Sequence, residues 1–316
     1  MKSFLKWLSA LGLVALLSSC GNDNDGNLAE VAKENGFTAL LAAVDKAGIA
    51  GTLTASDADL TVLAPTDAAF GALATQLGFT DAGAMVTALP ASDLSKILSY
   101  HILPGARSAE DLTAAGATVS TAYVVDGNAA TLALDTSSGV AFTDAVLATS
   151  KVTTADVHAD NGIIHGIDKV LVPPDVLNVV QMAQTNPASF SSLVAAVVET
   201  GLAPALSGTG PFTVFAPTNA AFASAPTGLT RSQLTSVLTY HVLPARVLSD
   251  DIPFGTPVPT LDTTTLGGAT VPAQTITINR NLTITDTTAI PANILATDVR
   301  ASNGVIHVIG KVLIPD

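Results

Sequence analysis

Five histidines, three tyrosines and a single cysteine are the side chains in this 316-residue sequence best equipped for chemistry. Of His101, His158, His165, His241 and His307, four fall in two paired sets that belong to different copies of a repeat, and no short His, Cys or carboxylate spacing supplies the three or four close donors of a zinc site. Metal ligands are therefore expected to be absent. Nucleophilic chemistry finds no better support: there is no Gly-x-Ser-x-Gly elbow, no Gly-rich phosphate loop, and no cysteine other than Cys20. Carboxylates are plentiful, yet none forms a pair whose spacing argues for acid and base roles. The expectation is a chain with no catalytic residues and no cofactor.

Cys20 closes a different pattern. Lys2 and Lys6 give a positive start, Leu8 to Leu17 an apolar run too short to span a bilayer, and Leu17-Ser18-Ser19-Cys20 resembles the bacterial lipobox. Residues 1–20 are thus expected to be a lipoprotein signal, with Cys20 as the lipidated N-terminus of an exported chain. Residues 21–27, Gly-Asn-Asp-Asn-Asp-Gly-Asn, form a polar tether whose first position, Gly21, lacks the acid that a calcium loop would need. Its acidic character resembles the tag that sends lipoproteins to the cell surface in Bacteroidetes-type bacteria. The expected location is the cell envelope, anchored by lipid at the outer membrane and open to surface exposure.

The composition narrows the partners. With 48% hydrophobic, 4% aromatic and 12% charged residues, the apolar content is aliphatic and fits packed globular domains, not disorder. A net charge of −13 would repel nucleic acid and anionic headgroups. Once Trp7 leaves with the signal, only Tyr100, Tyr123 and Tyr240 remain as amphipathic aromatics for sugar stacking.

The elements that must position these residues occur twice. Phe37 to Val44 matches Phe190 to Val197, and Leu60-Thr-Val-Leu-Ala-Pro-Thr-Asp-Ala-Ala-Phe70 matches Phe212 to Phe222. Ile97-Leu-Ser-Tyr-His-Ile-Leu-Pro104 matches Val237 to Pro244, and Asn161-Gly-Ile-Ile-His165 to Pro173 matches Asn303 to Pro315. The matching blocks lie 153, 152, 140 and 142 residues apart, a period that means tandem domains and not a solenoid. The expected division is 28–174 and 175–316, with Asp175 a candidate cap for the next helix, and the first copy carries about twelve extra residues around Leu77 to Leu89.

Within a copy, Phe37, Leu40, Leu41 and Val44 share a helical face. Thr61 to Leu63 reads as a buried strand ending in Ala-Pro, after which Thr66, like Thr218, caps a helix. Thr230-Arg-Ser-Gln233 is a capping box that the first copy, with Pro90 and Asp93, lacks. Thr275 to Thr285 reads as a hairpin turning near Arg280-Asn281, and Asn161-Gly162 and Asn303-Gly304 as tight turns before the last strands. Helices first and a mainly antiparallel sheet second make an α+β plan.

These four blocks, in this order and twice over, resemble the fasciclin-type domain. The resemblance implies two tandem domains, each a small twisted β-sandwich wedge with packed helices. It also implies a lipid-anchored adhesion or binding protein that contacts an extracellular or envelope protein or polysaccharide; a glycan-processing accessory enzyme and a passive envelope structural protein are the alternatives. In fasciclin domains of animal matrix proteins a Tyr-His flanked by aliphatics is associated with integrin-mediated adhesion, which makes Tyr100-His101 and Tyr240-His241 candidate partner contacts. Their position where a helix runs into Leu-Pro, with aliphatics on both sides, is where core residues belong, and packing is the favoured reading. His165 and His307 alternate with apolar residues along a strand and are expected to be structural imidazoles, with Asp156 and Asp298 as candidate bonding partners.

Overall fold

The structure is a computed structural model; it describes residues 26–262 and 274–315, and between them only the backbone of two short strands. The first domain runs α1 (Leu28–Glu34), α2 (Thr38–Ala47), α3 (Ala50–Thr54), β1 (Leu60–Pro65), α4 (Asp67–Gln76), α5 (Ala82–Ala88), α6 (Ala91–Tyr100), β2 (Ile102–Pro104) and α7 (Ala109–Ala114). Five strands complete it: β3 (Thr118–Val125), β4 (Asn128–Asp135), β5 (Ala141–Thr143), β6 (Thr149–Ala159) and β7 (Gly162–Ile167). The second domain repeats the order with α8 (Val179–Thr185), α9 (Pro187–Thr200), α10 (Ala203–Leu206), β8 (Phe212–Pro217), α11 (Asn219–Ala223), α12 (Arg231–Tyr240) and β9 (Val242–Leu243). A 3-10 turn at Ser249–Asp251 follows, then β10 (Pro257–Pro259), the separate pair β11 (Thr265–Leu266) and β12 (Ala269–Thr270), β13 (Thr275–Ile278), β14 (Thr283–Thr285), β15 (Ala292–Ala301) and β16 (Gly304–Ile309).

Each domain is an α+β unit built on a nearly closed seven-stranded sheet. The strand orders are β2-β1-β7-β6-β5-β4-β3 and β10-β13-β14-β15-β16-β8-β9. All neighbours are antiparallel except one pair in each sheet: β1 with β7, and β8 with β16, run parallel. That pairing explains Asn-Gly before the last strand. A Cβ on Gly162 would lie 2.0 Å from the Leu60 carbonyl oxygen, and one on Gly304 2.2 Å from that of Phe212, so only glycine lets the strands approach.

Local signals set the helix boundaries. Thr66 Oγ accepts from the Ala69 amide and Thr218 Oγ from that of Ala221, each at 3.2 Å. Thr230 and Gln233 form the capping box, whereas α6 starts at Pro90 without a side-chain cap. The extra segment of the first copy supplies α5, which is capped by Asp81 and buries Met85 and Val86. Asp175 does not cap α8 as its place after the prolines suggests. Its φ is +61°, it pairs with Arg246 and Arg300, and Asn178 is the cap.

Helices cover one side of each sheet, and the apolar cluster beneath them runs unbroken from Leu28 through Val172 and Leu177 into α8 and α9. Two smaller clusters, around Phe142 and around Phe215, fill the other sides. Among the described residues no helix is long and apolar enough to cross a membrane.

Candidate functional site

The Tyr-His pairs sit at the ends of α6 and α12, where the helix must turn into β2 or β9. Tyr100 and Tyr240 are each 1% exposed, His101 1% and His241 2%. Tyr100 donates to the Thr131 carbonyl at 3.1 Å and Tyr240 to that of Thr275 at 2.9 Å, tying the helix end across to the far strands. His101 Nδ1 donates to the Ile97 carbonyl at 2.7 Å, and its Nε2 accepts from the Leu171 amide at 2.9 Å. His241 repeats this with Val237 at 2.7 Å and Leu313 at 2.9 Å. Burial pulls both imidazoles down to about 4, so they stay neutral. Of the two readings of Tyr100, His101, Tyr240 and His241, burial favours packing over partner contact. Both ring nitrogens of each histidine are occupied and the side chains are enclosed, leaving no atom for an external molecule.

His165 and His307 are likewise buried, at the centre of the parallel pairs. Each lies beside a bulge in the neighbouring strand, where Asp156 (φ +56°) and Asp298 (φ +61°) take the left-handed conformation. The Asp156 amide donates to His165 Nδ1 at 3.2 Å and the Asp298 amide to His307 Nδ1 at 3.3 Å. Their Nε2 atoms donate to the carbonyls of Arg107 at 2.8 Å and Val247 at 2.9 Å. The aspartates are therefore the partners, through their backbone amides. The bulge aims the carboxylates at the segment after β2 or β9, where Asp156 accepts from the Ala109 amide and Asp298 from that of Ser249, at 2.8 and 2.9 Å. Phe215 stacks on His307 with centroids 5.6 Å apart.

Two further repeated residues escape a motif search. Asn161 accepts from the Leu28 amide and donates to the carbonyls of Leu53 and Ala55, and Asn303 does the same with Val179, Leu206 and Gly208. Their recurrence before glycine was the available signal. Asp144 is 6% exposed and accepts from the amides of Val146, Ala148 and Val172. Burial nevertheless pushes its carboxyl up to about 7. At the matching place burial also acts on Asp286, but bonds from Lys311 at 2.8 Å and from Thr288 hold its carboxyl below the usual range. Cys20 and the signal lie outside the described residues.

The Fasciclin domain family model matches the chain twice, over residues 35–173 and 188–315. A Synechocystis sp. protein, sll1483, is 36% identical over 151 residues, which cover 44% of this chain and 74% of that protein. Transforming growth factor-beta-induced protein ig-h3 of Oryctolagus cuniculus is 35% identical over 175 residues, covering 53% of this chain but only 23% of that protein. Among solved structures, a FAS1 domain pair from the insect cell adhesion molecule Fasciclin I aligns with 90% of this chain and 94% of that one, at 20% identity and a TM-score of 0.42.

Proposed function

Since the chain belongs to the fasciclin family, whose domains are found in cell adhesion proteins, we propose that it is a lipid-anchored extracytoplasmic binding protein. Its domain surfaces would meet a protein or polysaccharide partner. One observation carries this reading: the polar residues that recur in both copies are spent inside the fold. The Tyr-His pairs, His165 and His307, and Asn161 and Asn303 are bonded within their own domains. What remains available for recognition is the exterior, which differs between the copies.

The anchor and the tip follow from the sequence. A seven-residue tether reaches at most roughly 25 Å, so the first domain would stay close to the membrane and the second project outward. Residues 28–174 carry 6 basic and 16 acidic residues, and residues 175–316 carry 5 and 8. The less negative second domain is repelled less by anionic glycans at close approach.

Two measurements on the full chain test this. Cys20→Ala should move the protein from the membrane fraction to the soluble fraction, and firm retention would overturn the anchor. The intact chain should bind components of a matrix-protein and glycan array, with charge reversals on the second domain's surface lowering the signal and matching reversals on the first leaving it intact. The opposite pattern would overturn the outward second domain.

A further inference from the structure

The way the two domains meet bears on how copies of the chain meet. The corner between α8 and α9, Thr185 and Asn186, seats on an end face of the first domain built from α4, the segment Asp144 to Ala148, and Lys169. A cavity of about 200 Å³ lies at this contact. Asn186 Nδ2 donates across it to the Val146 carbonyl at 2.9 Å, and Thr185 and Asn186 are buried.

Parts of both halves recur, although α11 is shorter than α4 and the α1–α2 corner has two residues fewer between Asn35 and Phe37 than the α8–α9 corner has between Asn186 and Phe190. Asp144, Ala148 and Lys169 correspond to Asp286, Ile290 and Lys311 on the second domain, where Ile290 is 71% exposed while Ala148 is half-buried. The first domain carries the matching corner: Asn35 closes α1 as Asn186 closes α8, Glu34 stands at the place of Thr185, and both are exposed.

We propose that the end face of the second domain receives the α1–α2 corner of a second copy of this chain. Copies released from the membrane would then join head to tail by repeating the contact that the two domains already make, since the tether of an anchored copy holds its α1–α2 corner too close to the membrane to reach an outward second domain. The charges agree with this occupant. Within the chain the neutral Thr185 shares the cavity with Lys169. Between chains the acidic Glu34 would come to Lys311, which is a quarter exposed and already bonded to Asp286 at 2.8 Å. Ile290 supplies the apolar surface, and the Asn35 amide the counterpart of the Asn186 bond. Such a contact joins two different surfaces, so it builds head-to-tail rows or rings and not a symmetric dimer.

Sedimentation velocity of the full chain under reducing conditions, in detergent where the chain is membrane-bound, reads the outcome. The wild type should associate progressively as its concentration rises. Ile290→Asp spoils the face and Glu34→Arg the corner; both residues are exposed, so the fold is kept, and each variant alone should stay monomeric. An equimolar mixture of the two should give one-to-one dimers and nothing larger, because each retains the surface the other has lost. A wild type that stays monomeric at the highest attainable concentration, single variants that associate as the wild type does, or a mixture that stays monomeric would each overturn the proposal.

Discussion

His307 shows how a buried imidazole is held by groups that have nowhere else to turn. His307→Ala leaves the Asp298 amide and the Val247 carbonyl unpaired and removes the ring stacked on Phe215. The expected loss is about 3 kcal/mol in the second domain, read from denaturant unfolding. Titration acts on the same residues. His101 and His241 fall from about 6.5 in the unfolded chain to about 4 in the fold. Stability that is present above pH 6.5 is therefore lost as pH falls toward 4. Asp144 has the opposite sign, since its folded value near 7 lies above the unfolded one and the fold gains as pH falls from 7 toward 3.8. In the first domain His101 and Asp144 offset each other. In the second, Asp286 is lowered from 3.8 and gives up its contribution only below that value, so nothing offsets the loss from His241 between pH 7 and 4.5. Calorimetry at pH 7 and pH 4.5 should show the second domain's transition moving down further than the first's; equal shifts would refute the assignment. The sequence showed that these histidines lie on apolar faces, but not that the aspartates would bond through their amides. That depends on a bulge with positive φ, which no alternation of residue types records.

At the level of elements, the repeat let helix caps and strand ends be read from one copy and checked in the other. The capping roles of Thr66 and Thr218, the Thr275 to Thr285 hairpin and the Asn-Gly turns were legible for this reason. The burial of Tyr100 and Tyr240 was the favoured reading of an aliphatic helix end before Leu-Pro, but the family resemblance kept partner contact in play. Comparing the copies also predicts where packing can be improved. The apolar cleft among α8, α9, α10 and α12 holds an unfilled space of about 30 Å³ and is lined by Val179 and Val194 where the first copy has Leu28 and Leu41. Val179→Leu should stabilise the second domain by about 0.5 kcal/mol, seen as a higher unfolding midpoint, since roughly 24 cal/mol is recovered per Å³ of cavity filled. Gly304→Ala acts the other way. Its methyl would lie 2.2 Å from the Phe212 carbonyl oxygen, and forcing β8 and β16 apart should cost more than about 3 kcal/mol.

Across the whole molecule, the two domains are held by apolar continuity and by a charge clamp that sequence alone could not foresee, because its members lie 174 residues apart. Arg300 pairs with Asp126 at 2.5 Å and with Asp175 at 2.6 Å, Arg246 reaches Asp175 at 3.0 Å, and Tyr123 donates to the Pro174 carbonyl. Arg300→Ala should leave each domain folded but widen the distribution of interdomain angles, giving a larger radius of gyration in X-ray scattering and faster cleavage near Pro174 under limited proteolysis. An unchanged scattering profile would mean that the apolar cluster alone fixes the orientation. The strand order has a consequence in time. In each domain the first strand finds its parallel neighbour only in the last, from Leu60 to Gly162 and from Phe212 to Gly304. Closing a loop of roughly one hundred residues before this pair can form makes folding slow. A ribosome or translocation pore that has released everything but the final strand therefore holds a copy that cannot yet fold, while the finished first copy is free to do so.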